Sequence, residues 1–213
     1  MGVDQYVFLL TSLKWTLILS AVAFACGIPC GLLVALMRTA KSPPLRWIAT
    51  RWIDIFQGTP LLMQLFVVYY GLALLGVRLD EWSSVTVGFT LHASAFLGEI
   101  WRGAIEAVPR GQTEAAQALG LHYWARMKDV ILPQALKISL PATIGFLVQL
   151  IKGTSLASIV GFVELTRAGG IIANSNYRHL LVYGVVGLMY FAICWPLSLF
   201  GGRLERKFAA ANR

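Results

Sequence analysis

The chain has 213 residues, of which 57% are hydrophobic and 13% charged, and its mean hydropathy is +0.68. A soluble globular domain carries about twice that share of charge, so disorder and an ordinary soluble enzyme are excluded. Three cysteines, an odd number, give no disulfide framework.

A bilayer-crossing helix needs about 20 apolar residues, and candidate spans lie in the gaps between charges. Residues 15–37 form an uncharged run of 23. This run is too long for the apolar region of a secretory leader, and only Lys14 precedes it as positive charge, so it reads as a retained span. Residues 55–77 give a second run of 23, and residues 82–98 give 17, bounded by Glu99, past which the helix can continue. Residues 138–163 give 26, interrupted once by Lys152, and residues 180–202 give 23. The fold class this predicts is an all-α integral membrane protein of about five transmembrane helices, as one domain over residues 1–213.

Charge sets the orientation. The segments after spans one and three and the tail after span five hold thirteen of the 18 Lys and Arg. With five spans all three fall on one side, and the cation-rich side is cytoplasmic. The N-terminus is then outside and the C-terminus inside. The net charge of +8 reports topology and attraction to anionic lipid headgroups. No basic stripe interleaved with aromatics points to nucleic acid.

The segment of about residues 109–135 carries the most information. Glu114 to Leu119 favours helix, with Thr113 as a candidate N-cap. Gly120 suits the left-handed position that ends a helix. A second short helix can follow, bounded by Pro133. The prediction is a cytoplasmic helix-turn-helix knob whose small Ala115, Ala116 and Ala118 admit another surface. The alternative is an interfacial helix lying on lipid.

This segment resembles the Glu-Ala-Ala loop of ABC importer permeases at Glu114, Ala115, Ala116, Gly120, Leu132 and Pro133, with Val130 where the pattern has Ile. Further stretches are similar to the permeases for polar amino acids (the histidine, glutamate, glutamine, arginine and opine group). They are Phe56-Gln57-Gly58-Thr59-Pro60-Leu61-Leu62, with Gln57 replacing Arg, then Glu99-Ile100-Trp101-Arg102-Gly103, Thr154-Ser155-Leu156-Ala157-Ser158 and Glu164-Leu165-Thr166-Arg167. The resemblance runs over about residues 10–208. It implies a bacterial inner-membrane subunit that performs no catalysis and forms half of an amino-acid path. Its implied partners are a second permease, identical or homologous, two cytoplasmic ATPases and an extracytoplasmic binding protein. ATP and Mg belong to the ATPases, consistent with the lack of a phosphate-binding G-x-x-x-x-G-K-[ST] loop here. The six matched loop residues would couple this chain to the ATPase.

The substrate-path candidates are Glu99, Arg102, Lys152, Thr154 and Ser155. A lysine at mid-helix costs ~2.5–3.5 kcal/mol on insertion scales, so Lys152 either faces a cavity or ends its span and snorkels outward. Glu99 and Arg102, three apart, either pair along one helix or contact a zwitterion. The resemblance sets Asp after the lysine of span four, where this chain has Gly153, which removes one partner for a cationic substrate. Gly153 and Gly161 allow that helix to break, and broken helices beside polar groups are where transported substrates bind. Gly169, Gly170 and residues 174–176 suggest an external loop dipping back. Cys26 and Cys30 read as packing residues rather than a metal site, Gly27 and Gly31 as a close-packing pair with a kink at Pro29, and Gly184 and Gly187 likewise. His92 reads as a satisfied or cavity-facing imidazole. An ion-coupled secondary transporter is the alternative function. It would carry its own coupling-ion site and an internal repeat, and neither is visible in the sequence.

Overall fold

The computed structural model describes residues 2–211, and among them there is helix and no strand. Eight helices follow in order. They are α1 (Val3–Thr39), α2 (Pro43–Gly58), α3 (Leu61–Leu74), α4 (Glu81–Glu106), α5 (Arg110–Ala118), α6 (Tyr123–Val160), α7 (Leu165–Asn176) and α8 (His179–Ala211). By length and composition α1, α6 and α8 suffice to cross a membrane, and α2 with α3 would make a fourth crossing if counted as one. Helix α4 is long enough at 26 residues and is the most internal, packed by α1, α2, α3 and α6. It runs past Glu99 as the sequence allows.

The span expected over residues 55–77 is corrected: α2 and α3 meet at a bend of 106°. Pro60 disfavours helical backbone in the residue before it, and Thr59 is extended at φ −118° and ψ 145°. The bend is closed by Gln64, whose Nε2 donates to Phe56 O (2.7 Å) and Thr59 O (3.0 Å). Its Oε1 lies 3.0 Å from His92 Nδ1 on α4, so His92 is satisfied.

The core forms where α1 and α4 cross. Leu19, Ala23, Val85, Phe89, Ala93 and Leu97 are buried there with Phe146 and Leu150 from α6. A Cβ on Gly27 would lie 2.6 Å from Ala93 Cβ, and one on Gly31 would lie 2.8 Å from Leu97 Cβ. Bare backbone is what lets these helices approach. Helix α1 passes through Pro29 unbroken. Trp52 Nε1 donates to Ser94 Oγ (2.9 Å), holding α2 on α4, and Trp101 Nε1 donates to Thr143 Oγ1 (3.1 Å), holding α4 on α6.

Four other expectations change. Gly169, Gly170 and Asn174–Asn176 lie in helix α7, not in a loop. Its inner face buries Leu165, Ala168, Ile172 and Ala173 against Leu9, Val182 and Val186, and a Cβ on Gly169 would lie 2.7 Å from Val186 Cγ2. Gly184 and Gly187 have nothing within 4 Å of an added Cβ, so neither serves packing within the chain. Thr113 does not cap α5, which begins at Arg110 behind Pro109. Pro133 does not bound a short helix. Helix α6 takes up the missing N–H with a π-helical segment, Met127–Ile131, and continues as α-helix over Leu132–Gly153 and 3-10 helix over Thr154–Val160.

Candidate functional site

The 109–135 segment is a knob. Helix α5 ends as the sequence predicts, with Gly120 left-handed at φ +74°. Gly120 N donates to Gln117 O (2.9 Å) and Leu121 N to Ala116 O (3.0 Å). These two bonds satisfy carbonyls that a helix end otherwise leaves open. Ala116 is buried, whereas Glu114, Ala115 and Pro133 are exposed and Leu132 is half-buried. Glu114 has no ion-pair partner among the described residues. Beneath the knob, Ala104, Val108, Met127, Ile131 and Ala135 form a separate apolar cluster, and Gln134 Nε2 donates to Gln112 Oε1 (3.2 Å), tying α5 to α6. The knob is thus anchored on its inner side and free on its outer side.

Two residues on that outer side were not singled out from sequence. Leu119 is 80% exposed and Trp124 is 68% exposed. Both stand beside Gly120 and the start of α6, so the outer side of the knob carries large exposed apolar groups.

The path candidates separate into two groups. Arg102 closes on its own helix: its guanidinium lies 2.6 Å and 2.8 Å from the two Glu99 oxygens and 2.5 Å from Glu106. Each of its three nitrogens makes one such bond, so Glu99 and Arg102 are an intrahelical pair in this state. Lys152 is different. It is exposed in a groove of about 370 Å³ between α6 and α8, with Tyr190, Phe191, Cys194 and Trp195 opposite. No acid pairs with it among the described residues. Those partners lie near the middle of the uncharged 180–202 run of α8.

Thr154 and Ser155 do not share that groove. Thr154 is fully buried and donates to Ile151 O (2.7 Å), so its hydroxyl lines no cavity. Ser155 donates to Lys152 O (2.8 Å). Helix α6 keeps helical backbone through Gly153 and ends at Gly161, which is left-handed at φ +99°.

Glu164 is a constellation that charge counting did not find. It is fully buried and caps α7, accepting from Arg167 N (2.8 Å) and Thr166 N (2.9 Å). Tyr190 Oη on α8 donates to it (2.8 Å), and Leu165 N donates to Thr16 Oγ1 on α1 (3.1 Å). Glu164 opens the Glu164-Leu165-Thr166-Arg167 stretch, where sequence alone shows no sign of burial. Only the packing of α1 and α8 around it reveals the burial.

These features define a class: a polytopic helical membrane protein with an exposed helix-turn-helix knob and, in a groove between two long apolar helices, a lysine that no acid pairs among the described residues. The family profile described as "Binding-protein-dependent transport system inner membrane component" matches residues 27–210. The chain belongs to that family. It is 35% identical over 98% of its length to the probable amino-acid ABC transporter permease protein YckA of Bacillus subtilis, covering 92% of that protein. It is 34% identical to the arginine transport system permease protein ArtQ of the same organism, covering 96% of this chain and 94% of the relative. To the L-cystine transport system permease protein TcyB it is 37% identical, with 91% and 83% covered. Among solved structures, a crystal structure of an amino acid ABC transporter with histidines superposes at a TM-score of 0.90, with 33% identity and 96% of each chain covered.

Proposed function

We propose that this chain is the membrane-spanning subunit of an ATP-driven amino-acid uptake system, working beside a second permease, two cytoplasmic ATPases and an extracytoplasmic binding protein. The observation that carries this reading is the knob: an exposed Glu114, Ala115, Leu119 and Trp124 held on a glycine-capped turn whose inner side is anchored. Such a surface suits a groove on a partner, and the relatives' names supply the partner class and the amino-acid substrates. ATP and Mg act on the partner chains. Closure of the ATPase pair would push on the knob, and α6, continuous from Tyr123 to Val160, would carry that push as a rigid body to Lys152. Lys152 offers its ammonium to the carboxylate of a passing amino acid. Glu99 and Arg102 hold each other until the halves move. The cation-rich loops and the C-terminus face the cytoplasm and the N-terminus faces outward.

The test uses Gly120→Val and Glu114→Lys in the complete system. A β-branched residue at φ +74° strains the turn by at least the ~1–2 kcal/mol that a Cβ costs in left-handed backbone. Both variants insert normally, lose uptake and release the ATPase from washed membranes. Wild-type uptake with full ATPase retention in both would remove the knob as the coupling element.

A further inference from the structure

A second cation lies outside the knob and the Lys152 groove. Arg167, in the first turn of α7, is exposed and opens into a pocket of about 310 Å³. Ser158, Thr166, Gly170, Asn174 and Tyr183 line it with Arg167. On α7 the positions 167, 170 and 174 follow helical spacing, so they form one outward stripe opposite the packed face.

Three observations give this pocket a ligand chemistry. First, the guanidinium has no counter-charge. Among the described residues Arg167 joins no ion pair, and the nearest acid in sequence, Glu164, is occupied by two backbone N–H groups and the Tyr190 hydroxyl. Second, the groups around it are neutral hydrogen-bonding groups. The Tyr183 hydroxyl and the Asn174 carboxamide are not engaged elsewhere among the described residues, while the Thr166 hydroxyl meets Tyr190 Oη at 3.1 Å. Third, Gly170 is not explained by packing. Gly169 beside it is required by Val186, but a Cβ on Gly170 would meet only Tyr183 Oη, at 3.4 Å. A glycine within a helix is unfavourable relative to alanine, and this one keeps the pocket wall bare.

We infer that the Arg167 pocket is a carboxylate-binding site at the end of the bundle opposite the knob, where α8 begins. A planar guanidinium holds a carboxylate by two parallel bonds, and the volume is at the lower end of the range for small-molecule sites, about 300–1,000 Å³. The carboxylate is that of a free amino acid entering the path, or that of an acidic side chain on the docked binding protein. From Tyr183 to Cys194, which faces Lys152, is eleven residues along α8, about 16 Å at 1.5 Å per residue. The pocket is therefore a separate, outer stop from the Lys152 groove. Its role in amino-acid entry rests on the uptake reading above, but its preference for anions does not.

The experiment places a cysteine at Ile171, an apolar residue of the same pocket, in a background with Cys26, Cys30 and Cys194 changed to serine. The whole complex is reconstituted in phosphatidylcholine vesicles. With each rate normalised to that of the same reagent with a free thiol in solution, the anionic reagent ethylsulfonate methanethiosulfonate should modify this cysteine about tenfold faster than the cationic trimethylammonium reagent, the low end of what a charged cleft does to rates. Arg167→Gln should abolish the preference and Arg167→Lys should keep most of it. A mixture of the L-amino acids other than cysteine, whose thiol would consume the reagent, should slow the anionic reagent, and the corresponding amino-acid amides should not. Slowing by the binding protein alone assigns the carboxylate to that partner and still supports the site. Equal rates for the two reagents, or a preference that survives Arg167→Gln, overturns the proposal. Slowing produced only when phosphatidylglycerol is added also overturns it, in favour of a lipid headgroup. No step needs transport, so loss of uptake with charge preference intact, or the reverse, tells the two readings apart.

Discussion

The bare-backbone crossing of α1 and α4 can be tested by making one substitution in two places. Gly27→Ala puts a Cβ 2.6 Å from Ala93 Cβ, where carbon atoms settle at about 3.5–4.0 Å. The contact is short by about 1 Å, and neither atom is the free end of a flexible side chain, so the two helices must move apart. Overpacking of this kind costs ~1–3 kcal/mol. Replacing glycine by alanine in a helix returns up to ~1 kcal/mol, which leaves Gly27→Ala destabilised by about 1 kcal/mol. Gly184→Ala on α8 collects the same helix gain with nothing within 4 Å and is neutral or more stable. The two identical changes therefore differ by about 2 kcal/mol, close to a thirtyfold difference in an equilibrium constant. The assay is the fraction of monodisperse chain left in mild detergent across a temperature series. Equal midpoints for the two variants, or a Gly27→Ala midpoint at or above wild type, would refute the close-packing account.

Gln64→Leu leaves Phe56 O and His92 without their partner, at about 1–3 kcal/mol for an unsatisfied buried group; spin labels at Leu45 and Leu74 should report a broader distance distribution across the α2–α3 bend, and an unchanged distribution would show that Pro60 alone sets it. Tyr190→Phe removes one hydrogen bond from Glu164, about 1 kcal/mol, and should lower the detergent melting midpoint slightly, whereas Glu164→Ala, which also strips the α7 cap, should lower it more. For orientation, cysteines at Ser42 and Thr113 should resist an impermeant thiol reagent added outside sealed right-side-out vesicles, and one at Arg78 should react; labelling at Thr113 would invert the topology. Lys152→Ala should reduce uptake while the complex still assembles, and normal transport by both Lys152→Ala and Lys152→Arg would take Lys152 out of the path.

What could be read in advance depended on whether the signal was local. The long uncharged runs at residues 15–37 and 180–202 are local, and both fall within single helices. The left-handed turn at Gly120 is local too, since it follows from helix formers running into a glycine. The bend at Thr59–Pro60 is marked by its proline, but counting charges cannot see a hinge inside an uncharged run. Helix α7 was hidden for a different reason. Gly169, Gly170 and Asn174 are turn formers by composition, and they become helical because Leu9, Val182 and Val186 supply a surface from elsewhere in the chain. Glu164 was hidden likewise, since its burial is made by Thr16 and Tyr190, on helices remote in sequence. Lys152 was visible as an interruption, but the groove it faces became readable only once α8 was beside it.

The α1–α4 crossing also has a consequence for how the chain is made. Helix α1 is complete at Thr39, but its partner surface on α4 ends at Gly98, and the ribosome needs about 3–12 s to add the intervening stretch at 5–20 residues per second. During that interval the face of α1 meant for α4 waits without its partner, and the face meant for α7 waits longer still. Its polar side chains are suited to the delay, because Ser20 donates to Thr16 O (2.8 Å) and Thr16 to Ser12 O (3.4 Å) along the same helix. Hydroxyls satisfied within one segment need no partner while the helix waits in lipid, and the glycines expose nothing that must be covered. These hydroxyls are therefore already satisfied before α4 arrives to cover them.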